Sequence, residues 1–168
     1  MNEVSGNATV HGVLVSIDST GVLIVGDSGS GKSECALRLI DRGHKLVADD
    51  VVEITSTASG LVGSAPTHLR RLLEIRDLGI VDVEGIFGVG AFDSETSVDA
   101  VVEIAGTESG DIGRFRGSET TEILGTTLPK FRLIRERTSD LALLIEISVK
   151  ILNQPHFVRA LDSIKRPD

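Results

Sequence analysis

The stretch Gly26-Asp27-Ser28-Gly29-Ser30-Gly31-Lys32-Ser33 constrains this chain more than any other. It satisfies Gly-x-x-x-x-Gly-Lys-Ser, a pattern that carries physical meaning only where a strand runs into a helix. The flanks supply that context. Val13 to Ile17 and Val22 to Val25 are short β-branched runs on either side of the turn-like Asp18-Ser19-Thr20-Gly21. They predict a β-hairpin whose second strand leads into the loop. Beyond the loop, Lys32 to Arg42 is rich in helix formers, with Ala36, Leu39 and Ile40 at helical spacing and Gly43 placed as a C-terminal cap. Glycines in such a loop let successive backbone N–H groups converge on an anion, and the helix that follows adds the positive end of its dipole. Lys32 can reach outer phosphates as a point charge, and the Ser33 hydroxyl can ligate Mg²⁺. A Gly-rich turn that carries Lys-Ser by accident is the bland alternative, and the spacing and context speak against it.

Leu46 to Ile54 reads as the next strand, with Asp49 and Asp50, which are expected at its end, beginning sixteen residues after Ser33. An acid there can hold a metal directly or through water. A second carboxylate beside it can take a proton from an attacking hydroxyl, and like charges this close raise one of the two pKa values. A solvated acidic turn is the competing reading.

Composition narrows the partners. Net charge is −8, and no basic block is longer than Arg70-Arg71, which argues against nucleic acid or an anionic membrane as the main target. No apolar run approaches the roughly 20 residues needed to span a bilayer, and Met1 to Thr9 lacks the layout of a secretion signal. The single cysteine, Cys35, rules out an internal disulfide framework and suits a reducing cytosol, so a cytoplasmic location is expected. Cys35 itself reads as a small core residue. His44, His68 and His156 suggest no ligand set, and structural zinc is not expected. With five Phe and neither Tyr nor Trp, the core must come from Val, Ile, Leu and Ala, as in sheets covered by helices.

The 168 residues fit a single domain over 1–168, of α/β class. Pro66 to Arg76 reads as a short helix or irregular segment leading to Ile80-Val81-Asp82-Val83, followed by a Gly-rich stretch from Gly85 to Gly90. Val98 to Ala105 alternates acid with apolar and reads as a strand. Thr107 to Thr121 is the least structured stretch. Leu141 to Leu152 is apolar, and periodicity leaves open a strand passing into a helix.

Taken together, several segments resemble the catalytic domain of the HPr kinase/phosphorylase family. They are Val10-His11-Gly12-Val13-Leu14-Val15, the loop from Gly26 to Glu34, Arg42-Gly43-His44-Lys45-Leu46-Val47-Ala48-Asp49-Asp50, Leu73-Glu74-Ile75-Arg76-Asp77-Leu78-Gly79-Ile80, and Phe87-Gly88-Val89-Gly90-Ala91. The likeness is dense over residues 8–92 and loose beyond. Asp-Asp after Arg-Gly-His, followed by Glu-Ile-Arg, is far more specific than the phosphate loop. The resemblance implies a phosphate-loop kinase domain with a mixed β-sheet flanked by helices, like phosphoenolpyruvate carboxykinase cores. It implies ATP and Mg²⁺ as cofactors and the seryl hydroxyl of an HPr-like phosphocarrier as acceptor. By the same resemblance His11 lies near the transferred phosphate, Lys32 holds it, and Ser33 and Glu74 ligate Mg²⁺. Asp50, sharing with Asp49, is the base, and Arg76 belongs to the catalytic segment. Arg114, with Arg116 next, is the counterpart of a mobile catalytic arginine. The family forms hexamers, so a homo-oligomer is expected.

Departures also carry information. Many family members have a separate N-terminal domain, and this sequence looks like the short form that lacks it. Asp77 replaces the usual Gly after Glu-Ile-Arg. The Pro-Val-x-x-Gly-Arg-Asn stretch tied to phosphorolysis corresponds to Ile134-Arg135-Glu136-Arg137-Thr138-Ser139-Asp140, which leaves only its arginines to substitute. Kinase activity with weak or absent phosphorylase activity is therefore expected. Two rivals are a kinase of the same scaffold acting on a small molecule or another protein, and a nucleotide-sensing regulator without turnover. The carboxylates Asp49, Asp50 and Glu74 argue against the sensor, since binding alone needs no proton acceptor.

Overall fold

The structure, a computed structural model, describes residues 6–106, 119–137 and 140–154. The chain runs β1 (Asn7–His11), β2 (Val13–Ile17), β3 (Thr20–Gly26), α1 (Lys32–Asp41), β4 (Lys45–Ala48), β5 (Val51–Thr57), β6 (Gly60–Ser64), a 3₁₀ turn (Thr67–Leu69), β7 (Leu72–Ile75) and β8 (Gly79–Asp82). It continues through α2 (Val83–Phe87), β9 (Glu95–Ser97), β10 (Ala100–Ala105), β11 (Thr120–Ile123), β12 (Thr126–Ile134), a second 3₁₀ turn (Arg135–Arg137) and α3 (Leu141–Asn153).

The central layer is a six-stranded sheet in the order β11-β12-β10-β3-β2-β4. Its β3, β10 and β12 are parallel, while β11, β2 and β4 pair antiparallel, so the sheet is mixed as expected. Every residue of β2 is buried, because both faces of the sheet are covered. Side chains alternate between two cores. Val13, Val15, Val22 and Ile24 pack under the helices with Ala36, Leu39, Ala142 and Ile145. Leu14 and Leu23 point the other way, against Val52, Ile54 and Leu61 of the second sheet, a four-stranded antiparallel layer in the order β1-β5-β6-β9. Truncating one of these fully buried leucines costs about 2–5 kcal/mol.

The two sheets approach closely at the β2–β3 hairpin. Gly21 donates its N–H to the Asp99 carboxylate at 2.8 Å and accepts the Asp99 N–H at 2.9 Å. A Cβ on Gly21 would lie 1.5 Å from the Ser97 carbonyl oxygen, so no side chain fits there.

The hairpin, the helix after the loop and the strand ending at Ala105 match the sequence reading; the elements that follow differ. The predicted strand from Leu46 to Ile54 is two strands, β4 and β5, in different sheets. The break falls at Asp49-Asp50, where Asp50 takes a left-handed conformation (φ 67°) and swings the chain from one layer to the other. The Pro66 to Arg76 segment contributes only the three-residue 3₁₀ turn before β7, which pairs with β8 as a two-stranded ribbon. Residues 83–87 form a short helix because the Asp82 carboxylate caps the N–H groups of Glu84 and Gly85. Leu141 to Asn153 is helix throughout, started by Asp140 capping the Leu143 N–H. The end of the predicted loop, Thr120 and Thr121, belongs to β11. No helix among the described residues is long and apolar enough to cross a membrane.

Candidate active site

The phosphate loop leaves the C-terminal end of β3, a central strand of the six-stranded sheet, where ligand crevices in α/β sheets form. Its conformation depends on glycine twice over. Gly26 passes so close to the neighbouring strand that a Cβ would sit 2.5 Å from the Ile104 carbonyl oxygen. Gly31 caps α1 with φ 97°, leaving its carbonyl to accept the first helical bond from the Cys35 N–H at 2.9 Å. The loop closes on itself through the Ser30 N–H, which donates to Asp27 O at 3.0 Å. Lys32 folds back over it, with Nζ donating to the carbonyls of Gly26 and Asp27, both at 2.9 Å. The ammonium is thus held beside the cradle on weak neutral acceptors that phosphate oxygens can displace. Ser30 Oγ is buried with no hydrogen-bond partner among the described residues.

Asp49 and Asp50 are adjacent in sequence and opposite in environment. Asp49 is buried, and its two oxygens are engaged: Oδ1 accepts the Ser33 hydroxyl at 2.8 Å and Oδ2 accepts the Glu74 N–H at 3.0 Å. Burial pushes its pKa above the ordinary carboxylate value, and the neighbouring Asp50 charge adds to this, while those two hydrogen bonds pull the other way. Asp50 is exposed, its carbonyl accepts the Gly12 N–H at 3.1 Å, and its carboxylate stands in the cleft. His11, at the end of β1 and in register with Val51, borders the same cleft.

The β7–β8 ribbon forms the facing wall. Glu74 and Arg76 both border the cleft, and Arg76 Nη2 lies 4.0 Å from where a Cβ on Gly29 would be. The cavity so enclosed measures about 870 Å³, within the range of small-molecule sites. It gathers His11, Lys32, Ser33, Asp49, Asp50, Glu74 and Arg76, together with Gly26, Ser28, Gly29 and Gly31. Asp27 and Ser30 shape the loop without bordering the cavity. Arg114 and Arg116 lie outside the described residues. One cleft residue escaped the sequence reading as a loop contact: Arg135, whose Nη1 donates to the Gly29 carbonyl at 2.5 Å. Only the strand order reveals it, because β12 must first be placed beside β10 and β3. Cys35 is buried on α1, and burial raises its thiol pKa to about 11.

The donor set fits a hard cation and an anion. The Ser33 hydroxyl and the Glu74 and Asp49 carboxylates are oxygen ligands of the kind Mg²⁺ prefers. Among the described residues no three His, Cys, Asp or Glu side chains converge at ligand spacing, so such an ion would also take water and phosphate oxygens.

A glycine loop between strand and helix, with a lysine folded over it and carboxylates at the end of the next strand, defines an α/β protein of the phosphate-loop class. The chain belongs to the family of the HPr serine kinase C-terminal domain, whose family model matches residues 2–165. It is 45% identical over 141 residues to the HPr kinase/phosphorylase of Levilactobacillus brevis, covering 82% of this chain and 45% of that one. The corresponding protein of Brevibacillus brevis is 42% identical over 150 residues, covering 88% and 48%. The chain thus spans about half the length of these curated relatives. The solved structure of the Hpr(Ser) kinase/phosphatase from Coxiella burnetii superimposes with a TM-score of 0.79 at 34% identity, covering 89% of this chain and 98% of that one.

Proposed function

We propose that this protein transfers the terminal phosphoryl group of ATP to a seryl hydroxyl of an HPr-like phosphocarrier protein. The observation that carries the reading is the division between the two aspartates. Asp49 has both oxygens committed, whereas the Asp50 carboxylate is unpartnered among the described residues and faces the cleft beside Lys32. A nucleotide-binding module needs the first; only a proton-transfer enzyme needs the second. The names of the relatives supply the acceptor.

The chain's own residues divide the work as follows. Backbone N–H groups of the loop bind the phosphates, and Lys32 exchanges the carbonyls of Gly26 and Asp27 for phosphate oxygens. Ser33 and Glu74, with Asp49 behind them, would hold Mg²⁺, which supplies charge neutralisation at the phosphates when bound. Asp50 takes the proton of the attacking seryl hydroxyl as its oxygen bonds to phosphorus and the bond to the ADP oxygen breaks. His11 and Arg76, at the cleft edge, steady the transferred group. In reverse the protonated Asp50 would return its proton. The residues at 134–140 support this direction poorly, so phosphorolysis is weak or absent. The protein would work in the cytoplasm, as a homo-oligomer of the hexameric kind.

Transfer of label from radiolabelled ATP, with Mg²⁺, to an HPr-type carrier tests the reading. Label on the carrier, absent when its target serine is alanine and absent with Lys32→Ala enzyme, is the expected result. ATP binding without any label would overturn the kinase reading.

A further inference from the structure

The strand ends set up a contact that the family likeness does not assign. In the six-stranded sheet β3, β10 and β12 run parallel and finish in step, with Ile104 opposite Gly26 and Ile134 opposite Ala105. The residue that follows β12 therefore arrives level with the loop that follows β3. That residue is Arg135. Its Nη1 donates to the Gly29 carbonyl, and its Cζ lies 3.7 Å from where a Cβ on Gly31 would be. One guanidinium thus rests on two of the loop's three glycines, Gly29 and Gly31.

The electrostatic consequence follows from loop geometry. A phosphate cradle works by turning N–H groups inward, which leaves carbonyl oxygens on its rim, where they oppose an arriving polyanion. The rim carbonyl of Gly29 is the one that Arg135 neutralises. The guanidinium carries five N–H donors, and among the described residues the Gly29 carbonyl engages one of them. Positive charge thus borders the cleft at Gly29 and Gly31, whereas Lys32 covers Gly26 and Asp27. At the far end of α1, Arg42 pairs with Asp140, the residue that caps α3, so Arg135 and Asp140 grip the loop helix near its two ends.

We infer that Arg135 is a positioning residue for nucleoside di- and triphosphates, holding Gly29 and Gly31 in their phosphate-accepting conformation and shielding the rim carbonyl from the bound anion. The inference rests on the nucleotide-dependent reading above. Losing one charge-assisted contact of this kind weakens binding by about tenfold to a hundredfold.

The test is calorimetric titration of ATP and ADP, with Mg²⁺, into wild type, Lys32→Ala, Arg135→Ala and Arg135→Lys. Thermal melting is run on each without nucleotide. Arg135→Ala should melt with the wild type, since the side chain is exposed, yet bind both nucleotides more weakly. Millimolar guanidinium should recover part of that loss in Arg135→Ala and none in Lys32→Ala. Arg135→Lys should fall between Ala and wild type, because it keeps the charge and loses the fork. In transfer assays KM for ATP should rise by a larger factor than kcat falls. Wild-type affinity in Arg135→Ala would overturn the inference, as would weakened binding that tracks a lowered melting temperature in both Arg135 variants. Failure of the wild type itself to bind either nucleotide would instead bring down the nucleotide reading, and this inference with it.

Discussion

The two walls of the cleft are built on different terms. The loop wall is backed by the main core: Cys35, Ala36, Leu39 and Ile40 of α1 are all buried against the six-stranded sheet. The facing ribbon, β7–β8, is anchored at its base by the fully buried Leu73, while Leu78 and Ile80 near its tip are 77% and 70% exposed. Its turn also needs two left-handed residues, Asp77 (φ 70°) and Gly79 (φ 96°). One wall is fixed by packing on several elements; the other carries Glu74 and Arg76 on a lightly anchored arm. Asp49 joins them, with one oxygen on Ser33 of the loop wall and the other on the Glu74 N–H of the ribbon. The lesson is that neighbouring identical carboxylates can hold separate offices, one fastening the cleft and one exposed within it.

The largest expected effect separates those offices. Asp50→Asn should leave melting unchanged and slow phosphoryl transfer by about 10²–10⁴-fold, the usual range for a general base. Asp49→Ala should do something different, unfastening the walls. Leaving the Ser33 hydroxyl and the Glu74 N–H without their acceptor should cost about 2–3 kcal/mol, read as a shift of the urea midpoint. If both variants lost activity alone, with stability intact, the contrast between the aspartates would collapse.

A smaller effect is visible in pH. The native pKa of Asp49 lies above the ordinary 3.8, chiefly through burial, so above 3.8 the native state holds its proton longer than the unfolded chain. Its contribution to stability therefore falls as pH rises through that window. Asp140 is shifted down, first by the Leu143 N–H and then by Arg42, so its contribution is present above the ordinary value and is lost as pH falls through the lowered one. Relative to wild type, Asp49→Asn should gain stability from acid towards neutral pH, and Asp140→Asn should lose it. Denaturation curves across that range check both signs.

The smallest effect concerns the fixed wall alone. With its thiol buried and its pKa raised to about 11, Cys35 should alkylate slowly in the native state at neutral pH and rapidly in urea. Fast native labelling would mean that α1 opens from the sheet, and the two walls would then be equally mobile.

The phosphate loop was legible because everything that defines it is local: eight residues, a β-branched run before and a helical pattern after. Position after the loop pointed to Asp49 and Asp50, and the family resemblance added His11, Glu74 and Arg76, all of which the structure brings to one cavity. What stayed hidden depends on tertiary placement. The apolar pattern from Leu46 to Ile54 reads as one strand, since nothing in it announces the left-handed turn at Asp50 that moves the chain between sheets. The segment at Leu141 was ambiguous because it is apolar on nearly every side, and Leu143 and Ile147 are indeed left exposed on the finished helix. The short helix at 83–87 had a readable signal in the Asp82 cap, masked by the glycines beside it. Arg135 entered the sequence reading only through the resemblance at residues 134–140; its contact with the loop follows from which strand ends beside which.

The hairpin that leads into the loop has a consequence for variation in this protein. Asp18 and Ser19 stand exposed at its tip, whereas Gly21, two residues on, lies against the Ser97 carbonyl with no room for a single methyl group. A survey of substitutions should thus find tolerance and intolerance almost side by side, far from the cleft. A disease-like or drifted sequence altered at Gly21 would fail before its chemistry was ever consulted, while a peptide tag spliced in at Ser19 should pass unnoticed.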